Sequence, residues 1–326
     1  MPEGARTISV FLVNRRTPKA DEFRDEAFTF QAELSQTADR PFLPRPNSVG
    51  LLSDDWDENV ADLQYRDVGE YAVGHNVSAY GDVRKVHTCW IPRAQVERVA
   101  PAKIEGVTLG MDALGALADG PDAASKLMPL VEHYREWIEA QRATIPTSPL
   151  KRTQTAQALF DRDKVAANRI ENGIKLLNQP DCLKAFRLAN QAMATAARRR
   201  LGPMLQKTVE SVKTPEWRPF QLAFLLMNLP GIAEPSGDDR EVVDLLFFPT
   251  GGGKTEAYLG LAAFTLIMRR LRNPGVTGAG LSVLMRYTLR LLTLDQLSRA
   301  ATLMCALELM RENDETLGTW PFEIGL

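Results

Sequence analysis

The chain has 326 residues, with 39 Lys and Arg against 41 Asp and Glu, and 44% of its residues are hydrophobic. This length leaves room for two or three domains, and the balance of apolar and charged residues excludes disordered, collagen-like and disulfide-stapled miniprotein chains. The apolar runs at 222–227, 245–248 and 8–13 are too short for a membrane-spanning helix or a signal-peptide core. The 3 cysteines are widely spaced and suggest no disulfide framework, so a cytoplasmic protein is expected.

Charge is unevenly distributed along the chain. Residues 20–70 carry 13 acidic and 4 basic side chains, whereas residues 150–218 carry 14 basic and 6 acidic ones. A basic region of this kind is typical of a nucleic-acid surface, and an acidic region can mask it within one chain. The alternative is that both regions are solvated faces of ordinary helices.

Residues 1–108 are predicted to form a mixed α/β region. Residues 7–13 are rich in β-formers, residues 27–34 alternate between apolar and polar side chains, and residues 83–91 form a third strand candidate. Residues 40–47 contain three prolines and are expected to form an extended linker.

Residues 109–210 are predicted to form a helical region. Apolar side chains recur at spacings of three and four over residues 123–143, which is the pattern of an amphipathic helix. Two further helices are predicted over residues 150–178 and 181–200, separated by Pro180.

Residues 211–326 are predicted to form the first part of a RecA-like ATPase lobe. The pattern is a helix at 219–229, a buried strand at 242–248, a glycine turn, and then helix, strand and helix at 254–271, 281–285 and 289–311. Strand, turn, helix and strand in this order form a βαβ unit and begin a parallel sheet. The predicted fold class is therefore α/β, a P-loop NTPase with an incomplete first lobe, preceded by the mixed and helical regions.

A glycine-rich motif carries the clearest chemical prediction. It reads Phe248-Pro249-Thr250-Gly251-Gly252-Gly253-Lys254-Thr255. Glycines let the backbone turn tightly so that its N–H groups surround phosphate oxygens, and the following helix presents its positive N-terminus to them. Lys254 is expected to reach the β- and γ-phosphates of ATP, and the Thr255 hydroxyl to coordinate Mg²⁺, which makes these two the predicted catalytic residues. The predicted nucleotide-binding set also includes Thr250, Gly251, Gly252, Gly253 and Glu256.

The motif departs from the full P-loop pattern, because Phe248 stands where the first glycine is expected. It is similar to the shorter motif I of superfamily 2 helicases. The segment Trp217-Arg218-Pro219-Phe220-Gln221 also resembles an element that precedes motif I in those helicases. That resemblance implies that the amide of Gln221, which has both a donor and an acceptor, recognises adenine.

A third element follows the second predicted strand, where such helicases carry motif Ia. Its predicted DNA-contacting residues are Arg286, Thr288 and Arg290, which are suited to holding a sugar–phosphate backbone. The alternative is an ordinary first helical turn with solvated arginines.

No hydrophobic strand ending in an acidic pair follows this element. Asp314 and Glu315 are adjacent, but a polar, helix-like stretch precedes them, so they are not assigned as a Walker B motif. A nucleotide-binding regulatory or scaffold module that does not hydrolyse ATP therefore remains an alternative function. A P-loop phosphotransferase is a further alternative, disfavoured by the elements at Gln221 and Arg286.

The sequence resembles the N-terminal portion of the DrmA family, the helicase-domain proteins of the DISARM anti-phage system. The stretches that carry the resemblance are residues 218–221, 244–260 and 286–292, with 71–75 and 90–92 nearer the N-terminus. The resemblance implies an ATP- and Mg²⁺-dependent superfamily 2 DNA helicase or translocase. It also implies that the protein acts with the DUF1998-containing partner DrmB and a DNA methyltransferase. Because the later helicase motifs are missing from this sequence, the chain alone is expected to be inactive as an ATP hydrolase.

Overall fold

The computed structural model describes residues 4–20, 23–45, 49–93, 100, 102–247, 251–286 and 290–325. The chain divides into two compact units, one formed by residues 1–99 and 145–159 and the other by residues 100–144 and 160–326. The domain boundary predicted at residue 108 stays a prediction. The boundary predicted at residue 210 falls inside the second unit, where helices from both sides of it share one core.

Within the described ranges, the strands are β1 (Ser35–Thr37), β2 (Ser78–Gly81) and β3 (Lys85–Cys89). The helices are α1 (Val49–Leu52), α2 (Trp56–Gln64), α3 (Met111–Gly115), α4 (Gly120–Arg142), α5 (Leu150–Leu176), α6 (Pro180–Leu205), α7 (Pro219–Ala233), α8 (Lys254–Arg272) and α9 (Arg290–Arg311). Short 3-10 turns occur at Arg24–Ala27, Val209–Ser211, Asp238–Glu241, Gly275–Gly278 and Glu315–Leu317.

The first unit contains a small antiparallel sheet in the order β1-β3-β2. His87 of β3 lies opposite Ser35 of β1 and Tyr80 of β2, which fixes the register of all three strands. The turn between β2 and β3 is closed by the Asp82 carboxylate, which accepts hydrogen bonds from the backbone N–H groups of Arg84 and Lys85 at 2.7 and 3.0 Å. These hydrogen bonds lower the pKa of Asp82.

The second unit is a helical assembly with α6 at its centre. Helix α6 packs against α3, α8 and α9, and α7 packs against α8. Proline begins both α6 and α7, at a helix position where its missing N–H costs nothing. The largest fully buried side chains of this unit include Trp217, Phe186, Phe264, Leu114, Leu117, Leu127, Leu222 and Leu226. This core fixes the start of α7 relative to the start of α8.

The two strands predicted near the glycine turn are not formed in the described residues. Residues 242–247 and 281–286 have no regular secondary structure and belong to no ladder among the described strands. Several of their apolar side chains face solvent: Val243, Leu245 and Phe247 are 94%, 86% and 91% exposed. A strand exists through hydrogen bonds to a neighbouring strand, and neither segment has such a neighbour here.

The mixed helical and sheet content agrees with the α/β prediction in its coarse form. The sheet among the described strands is antiparallel and lies in the first unit, whereas the glycine turn belongs to the second unit. Across the described part of the chain, every helix is too short or too polar to cross a lipid bilayer.

Candidate functional site

The predicted phosphate-binding glycines form a turn that leads directly into helix α8. Gly251 and Gly253 have φ angles of 81° and 88°, in the left-handed region that glycine adopts without steric cost. Gly253 caps the N-terminus of α8, and Lys254 is the first helical residue. The turn therefore ends at the positive pole of a 19-residue helix. Thr250 lies outside the described residues.

Two side chains from the start of α7 hold this turn. Arg218 Nη1 donates to the carbonyl oxygen of Gly252 at 2.6 Å, and Gln221 Nε2 donates to that of Gly253 at 2.7 Å. The other end of the Gln221 amide accepts a hydrogen bond from the backbone N–H of Arg218 at 2.7 Å. Gln221 is only 4% exposed. Two consecutive carbonyl groups are thus bound from one helix end, which fixes the shape of the turn.

Trp217 anchors that helix end in the core. Its side chain is 2% exposed, and its indole Nε1 donates to Asn190 Oδ1 on α6 at 2.7 Å. Asn190 is held in turn by a hydrogen bond from its Nδ2 to the carbonyl oxygen of Phe186. The indole also packs on α8 at Gly260, where a Cβ atom would lie 2.6 Å from the ring. Trp217 therefore ties α6 and α8 together immediately before Arg218.

A buried ion pair holds the extended segment that precedes the turn. Arg169 of α5 donates two hydrogen bonds to Asp244, at 2.6 and 2.8 Å, and its Nε lies 3.2 Å from Asp239 Oδ1. The Arg169 side chain is 11% exposed, and the hydrogen bonds to Asp244 raise its pKa. Residues 242–247 are thus fixed at one point although they form no sheet.

The first residues of α8 include the predicted catalytic pair. Lys254 and Thr255 are half-buried in the first turn, directly after the glycines. Glu256 follows, and its Oε1 accepts hydrogen bonds from Arg299 of α9 and, at 3.4 Å, from Arg200 of α6. The carboxylate predicted to contact nucleotide therefore lies within a cluster of two arginines.

The predicted DNA-contacting residues are only partly described. Arg286 is exposed at the end of residues 281–286. Thr288 lies outside the described residues, and Arg290 begins α9 with a side chain that is likewise outside them. That Arg286, Thr288 and Arg290 contact DNA together therefore stays a prediction.

The contacts of four residues in the site were not predicted from the sequence. Each makes a contact with a residue 27 to 75 positions away in the chain: Arg218 with Gly252, Asn190 with Trp217, Arg169 with Asp244, and Arg299 with Glu256. No spacing rule marks such pairs. The signals available for Arg218 were its place in the segment 217–221, which resembles the element before motif I, and its position directly before Pro219 and the predicted helix start.

No protein-family model matches the chain. The DISARM protein DrmA of Bacillus paralicheniformis (strain ATCC 9945a / NCIMB 11709 / CD-2) is 31% identical to it over 346 aligned residues. The match covers 98% of this chain and 30% of DrmA, so the chain spans about a third of that relative's length and matches its N-terminal part. The resemblance stated from the sequence is confirmed.

Proposed function

Because this chain is a relative of the N-terminal part of DrmA, we propose that it is the ATP-binding N-terminal part of a superfamily 2 DNA helicase or translocase in DISARM-type anti-phage defence. The observation that carries the proposal is the glycine turn at the start of α8, held in shape by Arg218 and Gln221. A turn with a fixed backbone at a helix N-terminus suits a polyphosphate, because N–H donors and the helix dipole act together.

The roles of the two catalytic candidates follow from their chemistry. The ammonium group of Lys254 would neutralise charge on the β- and γ-phosphates, and the hydroxyl of Thr255 would supply an oxygen ligand for Mg²⁺. Both residues are in the first turn of α8, within the length of a side chain from the glycines. ATP and Mg²⁺ are the proposed ligands.

The exposed apolar segments support the proposal that the ATPase sheet is completed elsewhere in a longer enzyme. Val243, Leu245 and Phe247 alternate along residues 242–247 and are at least 86% exposed, and Leu281 and Leu284 are 76% and 74% exposed. Solvent-facing apolar runs of strand length are what a parallel sheet buries between layers of helices. We propose that both segments become strands once the rest of the lobe covers them.

DNA, the DUF1998-containing protein DrmB and a DNA methyltransferase are the proposed partners. The DNA contact is proposed for Arg286, Thr288 and Arg290, where arginine and hydroxyl side chains suit a phosphate backbone. The name of the curated relative supports membership in a DISARM system.

The second candidate is a nucleotide-binding regulatory or scaffold module that does not hydrolyse ATP. It is favoured by the contacts and the position of Asp314 and Glu315. Asp314 accepts a hydrogen bond from Thr316 and pairs with Lys184 at 3.0 Å, while Glu315 begins a 3-10 turn. Neither carboxylate follows a described strand, which is where a Walker B aspartate would hold Mg²⁺.

Nucleotide binding and turnover test both candidates, because each requires ATP binding and turnover would exclude the non-hydrolysing module. The purified chain is expected to bind Mg–ATP and to release no phosphate above background, with or without single-stranded DNA. Phosphate release stimulated by DNA would instead favour a competent ATPase in this chain alone. An absence of ATP binding would contradict both candidates.

Replacing Gln221 tests the proposed recognition of adenine. The hydrogen bonds to Arg218 and Gly253 leave the amide one N–H and one lone pair for a base. Gln221→Ala is expected to weaken ATP binding more than GTP binding, by about 1–3 kcal/mol, the range for paired amide-to-base contacts. Competition titrations of a labelled nucleotide would measure this difference. Equal losses for ATP and GTP would restrict Gln221 to holding the glycine turn.

A further inference from the structure

The carboxylate of Glu256 lies beside the glycine turn, two residues after Lys254. A Cβ atom on Gly253 would lie 3.4 Å from Glu256 Oε2, so one carboxylate oxygen faces the turn. The other oxygen, Oε1, is the atom that accepts from Arg299 and Arg200. The Glu256 side chain is 24% exposed, which limits screening of its charge by solvent.

The sequence places Glu256 in the predicted nucleotide-binding set, but an acidic side chain at this position opposes the binding of a phosphate. Both groups are anions, and both are attracted to the same helix N-terminus. Like charges within a few ångströms repel more strongly where solvent is partly excluded. A polyphosphate therefore binds more tightly beside Glu256 when another group compensates the carboxylate charge.

Arg299 is the better placed of the two arginines to do so. Its side chain is 15% exposed, against 41% for Arg200, and its contact with Glu256 is the shorter one. Asp295 also pairs with Arg299, at 3.8 Å, but is 65% exposed and interacts weakly. The three charged side chains line a small cavity of about 40 Å³ whose other lining is largely apolar and includes Met193, Leu259 and Leu303. No other charged group of the described residues pairs with Glu256.

We propose that Arg299 is a positioning residue of the nucleotide site, acting through Glu256. By binding the carboxylate it compensates the negative charge beside the glycine turn and so favours phosphorylated ligands. Arg299 is on α9, nine residues after Arg290, where DNA contact is proposed. Displacement of α9 would therefore alter affinity for nucleotide. The inference rests on the proposed function, because it requires that phosphates bind at this turn.

The experiment compares affinities for Mg–ATP, ADP and adenosine among variants of the 326-residue chain. Arg299→Gln is expected to lower ATP affinity by about three- to tenfold, the scale of one uncompensated charge near the surface. ADP affinity should fall less, and adenosine affinity should stay unchanged because adenosine carries no phosphate. Arg299→Lys, which keeps the charge, should retain most of the affinity for ATP. Asp295→Asn is the matched control, since it removes a carboxylate from the same arginine without altering Glu256.

The decisive variant is the double replacement Arg299→Gln with Glu256→Gln. It removes the uncompensated carboxylate, so ATP affinity should return to within about twofold of the original value. An unchanged ATP affinity in Arg299→Gln, a loss that the double replacement does not restore, or an equal loss for adenosine would overturn the inference. An original chain that binds adenosine and ATP equally would contradict the proposed function instead. Thermal midpoints measured without ligand identify any variant that is simply unfolded. If Arg299→Gln is unfolded, the inference is tested by Arg299→Lys, which must keep most of the ATP affinity because it keeps the charge.

Discussion

Trp217→Ala is expected to lower the free energy of unfolding by about 3–5 kcal/mol, the range for removing a large buried aromatic side chain. The indole is 2% exposed and contacts both α6 and α8, so its loss opens a cavity at their junction. It also leaves Asn190 Oδ1 buried without its donor, which adds a desolvation cost. Chemical denaturation of the original chain and of Trp217→Ala would measure the difference in the free energy of unfolding.

Trp137 provides the matched control for this prediction. It is 50% exposed and stacks on Tyr134, so Trp137→Ala removes the same side chain from a largely solvated position. We expect a loss of about 1 kcal/mol or less for that variant. Similar losses for the two tryptophans would show that Trp217 does not anchor the start of α7.

Gly253→Ala is expected to weaken nucleotide binding by about 2–3 kcal/mol, or roughly 30- to 150-fold. The φ angle of 88° costs a residue with a Cβ atom about 1–2 kcal/mol. The added Cβ would also lie 2.7 Å from Gln221 Nε2, so the amide must move and lose its hydrogen bond to the turn, worth about 1 kcal/mol. Competition binding with ATP would measure the change.

Gly251→Ala is the control that separates the backbone strain of a positive φ angle from the clash of an added Cβ atom with Gln221. The φ angle of Gly251 is 81°, close to that of Gly253, but apart from its chain neighbours a Cβ atom there would meet no atom of the described residues within 4 Å. Gly251→Ala is therefore expected to cost only the backbone strain of about 1–2 kcal/mol. A larger effect at Gly251 than at Gly253 would contradict the assignment of Gln221 as the side chain that holds the turn.

The long helices of the second unit could be predicted because each contains its own signal. The apolar stripe at 123–143 corresponds to α4, and the predictions at 254–271 and 289–311 correspond closely to α8 and α9. A helix satisfies its backbone within one segment and buries one face, so its period is visible in a single stretch of sequence. The glycine turn was predictable for a similar reason, since consecutive glycines allow the φ angles observed there.

The strands and the connections of the site could not be predicted in the same way. Residues 242–248 have the composition of a buried strand, but a strand needs a partner, and the described part of this segment has none. The ion pair of Arg169 with Asp244 joins residues 75 positions apart, and the hydrogen bond from Trp217 to Asn190 joins buried groups on different helices. Such contacts depend on how the helices pack, which local spacing does not encode.

Calorimetric titration with Mg–ATP, comparing the original chain with Lys254→Ala, tests most directly whether the start of α8 binds phosphates. Alanine preserves helix propensity and removes the ammonium group that is proposed to neutralise the phosphates. We expect ATP affinity to fall by about 1.5–3 kcal/mol, the value of a hydrogen bond to a charged group, with little change in thermal midpoint. Lys213→Ala, at a lysine that is 87% exposed, should leave binding unchanged. Equal ATP affinity in the original chain and in Lys254→Ala would contradict a nucleotide site at this turn.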